Sequence, residues 1–312
     1  MSVAVCLLLY SLAMIVAGPP LLRWLTRDGH SPRLGVAAWL SAIGSVLISW
    51  LAAAALVVYD VVRHWDDPAG IALFCLAQMR SVLEGHRGVA SQTALLVLAG
   101  TATAGAIVFG MRLASSVIRL RARAHEHARA VRIVGRHDHA GDAVVVDADK
   151  PAAYCVSGRP SAIVVTTSAL ATLDEGELNA VLAHERAHLR GHHTHITAVL
   201  RSLAVVFSRV SLMTEGAGEV SRLLEMCADD AAARQHGREA LLSGLLALAG
   251  AAPAPALGAA SIAVLSRAER LMLLRRTPAP LRFALSASLA IIAVAPLVIV
   301  ALVATGALVC SA

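Results

Sequence analysis

The sequence has few charged residues and almost no lysine. Charged residues make up 15% of the chain and apolar residues 57%, whereas a soluble domain has about 25% and 45–50%. This shortage of charge argues against an ordinary soluble enzyme and indicates a membrane protein. Lys150 is the only lysine, so the net charge of +6 rests on arginine. A net positive charge is typical either of nucleic-acid binding or of membrane helices with basic cytoplasmic loops. The positions of the arginines decide between these two interpretations.

The cysteines form no pattern typical of a metal or redox site. None of the five has a partner at C-x-x-C spacing, which argues against a thiolate zinc knuckle or a redox motif. Five scattered cysteines also make no disulfide framework, so we interpret most of them as small apolar residues.

Four uncharged stretches are long enough to cross a membrane, which takes about 20 apolar residues. They comprise residues 3–22, 36–59, 89–111 and 283–309. The first stretch has no basic residue before it and is followed by Arg23, which favours a membrane anchor over a cleaved signal peptide. We predict that the chain has three parts. Residues 1–111 contain the first three spans, residues 112–282 form one domain, and residues 283–312 contain the last span.

The arginines predict the orientation of these spans. Seven of them lie between residues 112 and 136, directly after the third span, and such basic segments stay in the cytoplasm. We therefore expect a multi-pass protein of the cell membrane, with both termini outside and the domain 112–282 in the cytoplasm. The arginine run adjoins a span and lacks interleaved aromatic residues, so we interpret it as a solvated helix and expect no direct nucleic-acid binding.

A predicted helix over residues 173–191 carries a metal-binding motif. Asp174 and Glu177 have the spacing of a capping box. His184 and His188 are four residues apart, which places both imidazoles on one face of the helix. Glu185 would then lie beside the open coordination position of the metal, where it can accept a proton from water.

The motif needs a third ligand, and the sequence offers two alternatives. A metzincin would place a histidine six residues after His188, but that position is Thr194, and His195 misses it by one. Glu225 is the better candidate because it shares a helix face with Asp229, four residues later. Glu225 can ligate a metal while Asp229 accepts a hydrogen bond from a ligand histidine. The competing interpretation is a pair of surface acids on an amphipathic helix.

These stretches resemble the BlaR/MecR-type integral-membrane zinc metallopeptidases and, more remotely, the HtpX and Ste24 group. The resemblance rests on residues 163–170, 177–188 and 225–230, and it covers about residues 115–280. It implies one Zn²⁺ per chain, with His184, His188 and Glu225 as ligands and Glu185 as the general base.

The expected fold is a mainly α membrane protein. It has four transmembrane helices and a cytoplasmic α+β zincin-like metallopeptidase domain that carries a small β-sheet. Strand-like runs lie at residues 143–147 and 162–167, with a further short strand at 154–156. A strand at the edge of this sheet, next to the zinc helix, could bind an extended substrate by β-augmentation.

Three functions fit these observations. The first is a signalling protease that cleaves a cytoplasmic protein, by resemblance a repressor of the BlaI/MecI type. The second is a quality-control protease like HtpX, which acts on damaged membrane proteins. The third is a non-enzymatic membrane receptor with a structural zinc. BlaR/MecR sensors carry an extracellular penicillin-binding domain after the last span, and since this sequence has none, we expect no β-lactam sensing through such a domain.

Other polar residues near the motif are less informative. Tyr154 and Arg234 are weak candidates for stabilising an oxyanion. His192, His193 and His195 follow the zinc helix and are interpreted as a solvated turn. Residues 196–210 are apolar but short and contain two arginines, so we predict a core or interfacial helix there, not a span.

Overall fold

Helices account for most of the fold. The computed structural model describes residues 3–63, 89–137, 143–250, 257–273 and 279–304. In chain order the helices are α1 (Val3–Thr26), α2 (Pro32–Arg63), α3 (Val89–Val134), α4 (Thr167–Thr172), α5 (Glu175–Arg190), α6 (His193–Val206), α7 (Ser211–His236), α8 (Arg238–Gly250), α9 (Leu257–Met272) and α10 (Ala279–Ala304).

Three helices in the described part of the chain are long and apolar enough to cross a membrane. They are Val3–Thr26, Pro32–Tyr59 and Ala279–Leu302, and they correspond to the first, second and fourth predicted spans. The end of the last predicted span, from residue 305, lies outside the described residues. The third predicted span falls in the first half of α3, where most side chains are also outside the described part, so a fourth span stays a prediction.

A small mixed sheet precedes the motif helix, and the predicted strands are present in it. Its strands are β1 (Arg136–His137), β2 (Ala143–Val146), β3 (Ala153–Val156) and β4 (Ala162–Thr166), in the order β1-β2-β4-β3. The central pair β2 and β4 is parallel, and β1 and β3 add to it antiparallel. Every residue of β4 is buried, as expected of a central strand. Strand β3 therefore forms one edge of the sheet.

The largest apolar core joins the membrane helices to helices of the proposed cytoplasmic domain. It contains Leu22 of α1, Trp39 of α2, Leu203 of α6 and Leu223 of α7, all buried. Gly216 allows α7 to approach α2, because a Cβ there would lie 2.9 Å from Cδ1 of Ile43. Small residues of this kind let helices pack closely where lipid gives little hydrophobic driving force.

Helix α7 runs alongside the second half of α1. At its start, the Ser211 hydroxyl donates a hydrogen bond to the Ile15 carbonyl at 3.2 Å. Eleven residues further along each helix, Arg222 donates to the Thr26 carbonyl at 2.9 Å. Helix α6, which leads into α7, has 14 residues, and this length fits the expected core helix and not a span.

The predicted capping box starts helix α5. The Asp174 carboxylate accepts a hydrogen bond from the Glu177 amide at 2.8 Å, and the Glu177 carboxylate accepts one from the Asp174 amide at 3.0 Å. Glu177 also contacts the hydroxyl of Ser243 on α8. The reciprocal bonds satisfy amides that the first turn of a helix leaves unpaired.

Replacing Asp174 by Ala should loosen the first turn of α5. Loss of an N-cap residue costs about 1 kcal/mol, so we expect faster amide hydrogen exchange at residues 175–178 and a lower melting temperature. Glu175→Ala is the matched control, because it removes an exposed acid from the same turn without breaking the box. Equal exchange in both variants would show that the box does not stabilise this helix.

Candidate metal centre

Helices α5 and α7 bring three potential metal ligands together. The Nε2 atoms of His184 and His188 are 3.0 Å apart. One carboxylate oxygen of Glu225 lies 3.6 Å from Nε2 of His184, and the other lies 3.6 Å from Nε2 of His188. One ligand atom from each of these residues lies within 4.8 Å of the others. The three residues could hold one metal ion.

Alanines make this close approach of α5 and α7 possible. Ala180 and Ala183 of α5 belong to the same buried cluster as Ala232 of α7. Ala228, between the acids of α7, has no exposed surface. Larger side chains here would separate the two backbones and move Glu225 away from the histidines, since packed interiors leave little room for added volume.

The spacing of the donors suits zinc. A tetrahedral zinc ion with ligands at about 2.0–2.1 Å keeps its donor atoms about 3.3 Å apart. The observed separations of 3.0 and 3.6 Å bracket that value. Two imidazoles and one carboxylate are also the donor set of several catalytic zinc sites, in which the fourth position stays open. In the described ranges only this group of three donors converges in this way.

Asp229 is placed to orient His184, and Arg267 is placed to hold Asp229. The Asp229 carboxylate has no exposed surface, and it lies 3.1 Å from Nδ1 of His184. Arg267 on α9 donates to both of its oxygens, at 2.6 and 2.8 Å. A third nitrogen of Arg267 lies 3.1 Å from the Glu225 carboxylate. One guanidinium therefore fixes the two acids that face the first histidine.

The charges of this cluster perturb one another. Burial alone would lower the pKa of His184, but its contacts with Asp229 and Glu225 outweigh burial and raise that pKa to about 9. Burial would raise the pKa of Glu225, but His184, His188 and Arg267 hold it far below its usual range. Burial would likewise raise the pKa of Asp229, but Arg267 and His184 lower it. Both acids are therefore ionised and available as acceptors at neutral pH.

His193 corrects the interpretation of the histidine run as a solvated turn. Its side chain is buried, and its Nδ1 lies 2.9 Å from Nδ1 of His188. Burial and the neighbouring His188 lower the pKa of His193 to about 4, so it is neutral. If Nε2 of His188 is a ligand, its Nδ1 carries the proton and donates a hydrogen bond to Nδ1 of His193.

Gly191 ends the motif helix, and it also leaves the space that the side chain of His193 occupies. A Cβ at Gly191 would lie 2.3 Å from Nε2 of His193. The sequence signal for this role was only the position of Gly191 at the end of α5, which is equally typical of a helix C-cap.

Glu185 lies next to the donors and beside a cysteine. Burial raises the pKa of Glu185, while His184, His188 and the neighbouring Cys155 of β3 act in the opposite direction. The Cys155 thiol lies between Glu185 and Thr194. Burial, with Glu185 as a second cause, raises the pKa of Cys155 to about 12, so it remains a thiol. This cysteine is thus more than the apolar filler that its sequence context indicated.

The other candidates lie outside the donor group. Thr194, the metzincin position, contacts Cys155. His195 packs against His192, with ring centroids 6.0 Å apart. Arg234 lines a separate cavity. It lies nine residues after Glu225, on the opposite face of α7, so it does not face the donors as an oxyanion-stabilising residue would.

Removing Arg267 should weaken metal binding. Arg267→Met leaves Asp229 buried without its cation, and loss of such outer partners typically costs 10–100-fold in metal affinity. Arg270→Met is the matched control, because Arg270 lies one turn away and pairs with the more exposed Asp230. Zinc affinity is measured by competition with a chelating dye. Equal affinities in the two variants would remove Arg267 from the centre.

Removing His193 should also weaken zinc binding, but less than removing Arg267. His193→Ala leaves Nδ1 of His188 without its partner, so zinc affinity should fall about tenfold. His195→Ala removes a histidine from the same run that does not contact the donors and should keep the wild-type affinity. If the two variants bind zinc equally well, His193 does not orient His188.

Comparisons with known proteins point to a family of peptidases. The profile of peptidase family M48 matches residues 118–277, about half of the chain. A protease HtpX homolog of Acidiphilium cryptum is 41% identical over 69 residues, which are 22% of this chain and 24% of that protein. A protease HtpX homolog of Leuconostoc mesenteroides is 32% identical over 76 residues, or 24% of this chain and 25% of that protein.

The chain spans about a quarter of the length of these curated relatives, and no solved structure gives a significant match. The matched region includes the sheet, the histidine helix, and the helices that carry Glu225 and Arg267. The relatives belong to the HtpX group, which was the more remote of the two resemblances, and the BlaR/MecR type is not among them. With half of its length matched by the profile, the chain belongs to peptidase family M48.

Proposed function

We propose that this chain is a membrane-embedded zinc endopeptidase that cleaves extended protein segments beside the membrane. The observation that carries the proposal is the convergence of His184, His188 and Glu225 next to the half-buried Glu185. The first three would hold one Zn²⁺, and Glu185 would be the general base. Asp229 would orient His184.

The residues of the chain supply binding and proton transfer. When bound, zinc supplies Lewis acidity, which acidifies water and polarises a peptide carbonyl. Glu185 takes the proton that the attacking water loses and returns it to the nitrogen of the leaving amine. The Cys155 thiol lies beside this carboxylate, where it can donate a hydrogen bond to it.

Strand β3 supports the binding of an extended substrate. The Thr166 amide donates to the Ala152 carbonyl at 3.0 Å, and pairs that exchange such bonds alternate along an antiparallel ladder. The backbone groups of Ala153 and Cys155 therefore point away from β4, toward the edge of the sheet. A substrate strand could bond to them and pass Glu185, as in β-augmentation.

A groove along this edge provides room for substrate side chains. Its volume is 410 Å³, and it lies between β3, α3 and α6. Val117, Val156 and Val199 give it an apolar wall, with Thr194 and Cys155 at the end nearest Glu185. An apolar groove that ends at the proton acceptor is an arrangement suited to a peptidase.

The number of donors argues against a purely structural zinc. Structural sites usually have four protein ligands, and here three donors converge in the part of the chain that the structure describes. The membrane-receptor alternative also gives no reason for a half-buried carboxylate at Glu185, beside the three donors, since partial burial is unfavourable for its charged form.

The substrate class follows from the relatives. Matches to HtpX homologues favour a quality-control role on membrane proteins. A repressor of the BlaI/MecI type has no support from these comparisons and stays a prediction from the resemblance alone. In either case we expect the site to lie in the cytoplasm and both termini outside, because the arginines after residue 111 favour that orientation.

Replacing Glu185 by Gln should abolish cleavage without loss of metal. The amide cannot accept the proton, so turnover of unfolded casein by the purified, zinc-loaded full chain should fall about a hundredfold or more. Zinc content, measured by mass spectrometry, should stay at one ion per chain. Glu175→Gln, an exposed change on the same helix, is the control and should cleave like wild type.

Normal cleavage by the Glu185→Gln variant would refute the general-base assignment. In cells, protein fragments that are present with wild type and missing with Glu185→Gln identify the substrate. Fragments of membrane proteins favour the HtpX-like role, and fragments of one soluble DNA-binding protein favour the signalling role.

A further inference from the structure

A second cavity lies behind the metal centre. Its volume is about 660 Å³, and it opens between the end of α1 and helices α7 and α9. Met226 and Asp230 of α7 line it, whereas Glu225 and Asp229, one residue earlier in each case, face the histidines. Helix α7 therefore separates this cavity from the metal centre.

The cavity is basic. Four acids line it together with six arginines, namely Arg23, Arg27, Arg222, Arg234, Arg238 and Arg270. Arg222 is neutralised by Glu219 at 2.8 Å, and Arg270 by Asp230 at 2.9 Å. In the described part of the chain, the exposed side chains of Arg234 and Arg238 have no carboxylate within ion-pair distance. Arg23 pairs with Glu215 and Arg27 with Asp28, and in the same part of the chain Glu269 is the one lining acid with no cation within ion-pair distance. Two cations of the cavity are therefore available for an anion, against one unpaired carboxylate.

The position of the cavity relative to the membrane follows from α1. This helix is a candidate span, and Leu21 and Trp24 near its end are 51% and 62% exposed. Tryptophans with this exposure are typical of the interface between lipid tails and headgroups. Arg23 and Arg27 flank Trp24 and line the cavity, so the cavity opens at the level of the headgroups.

We propose that this cavity binds the headgroup of an anionic phospholipid from the leaflet that faces the catalytic domain. Guanidinium groups bind phosphate oxygens through charge-assisted, often bidentate hydrogen bonds. Basic pockets beside membrane helices are suited to such headgroups. The acyl chains would lie along the exposed face of α1. This face carries Leu21 and Trp24 and continues into the bilayer.

Headgroup binding would stabilise the frame of the metal centre. Helix α9 presents Arg267 to Asp229 and, one turn later, Arg270 to Asp230 at the cavity. A headgroup held by Arg234 of α7 and Arg238 of α8, in a cavity that α9 also lines, would fix α9 against α7. We therefore expect the anionic lipid to raise the melting temperature of the protein.

The test measures binding of short-chain lipids to the full-length protein in a neutral detergent. Isothermal titration calorimetry compares dioctanoyl phosphatidylglycerol with dioctanoyl phosphatidylcholine. Wild type should bind the anionic lipid at least about tenfold more tightly, since each nearby arginine contributes roughly a fivefold gain. Arg234→Gln combined with Arg238→Gln should bring the ratio to about one.

Arg129→Gln combined with Arg136→Gln is the matched control. It removes the same charge from exposed positions that do not line the cavity, so the preference should persist. Arg238→Glu reverses the charge of an exposed residue in the cavity lining. It should also abolish the preference, and it covers the case in which the double arginine variant does not fold.

Three results would overturn the proposal. They are equal affinity of wild type for the two lipids, a preference that survives in both cavity variants, and a preference that the control also loses. Inorganic phosphate is titrated in parallel. If it displaces phosphatidylglycerol at the concentration at which the lipid itself binds, the site is one for a free anion, and the lipid assignment fails.

Discussion

Asp229 is the residue on which the rest of the centre depends. A fully buried carboxylate is strongly unfavourable unless cations and hydrogen-bond donors compensate it, and here His184 and Arg267 do so. The requirement constrains three helices at once, because His184 lies on α5, Asp229 on α7 and Arg267 on α9. The alanine contact between α5 and α7 and the capping box of α5 serve the same arrangement. Glu225, one turn before Asp229, is then held beside both imidazoles.

The membrane helices are part of this arrangement. Helix α7 carries two of the site's acids in its second half, while its first half packs against α1 and α2 in the largest core. The bond from Ser211 to Ile15 and those from Arg222 to Thr26 and Arg27 fix its position along α1. The metal centre is thus held at a set distance from the end of a candidate span. This rigid link is consistent with a peptidase that acts on segments close to the bilayer.

Local patterns in the sequence were sufficient to predict the helices and strands, but less so to predict the contacts between them. The capping box, the histidine spacing and the strands of the sheet could be predicted because each depends on residues only a few positions apart. Arg267 could not, because it is 38 residues from Asp229 and no periodicity connects them. His193 was misread because a histidine after a helix end is usually solvated, and its burial depends on the space at Gly191. Cys155 meets Glu185 only through the placement of β3 against α5, which composition does not reveal.

The central claim is that two imidazoles and one carboxylate converge on a single ion. X-ray absorption fine structure at the zinc edge of the zinc-loaded full chain tests it most directly. The account predicts two imidazole nitrogens and carboxylate oxygen at about 2.0–2.2 Å, with no sulfur, and the loss of this spectrum in Glu225→Ala. A sulfur shell at about 2.3 Å, which would implicate Cys155 or Cys227, or an unchanged spectrum in Glu225→Ala would contradict it.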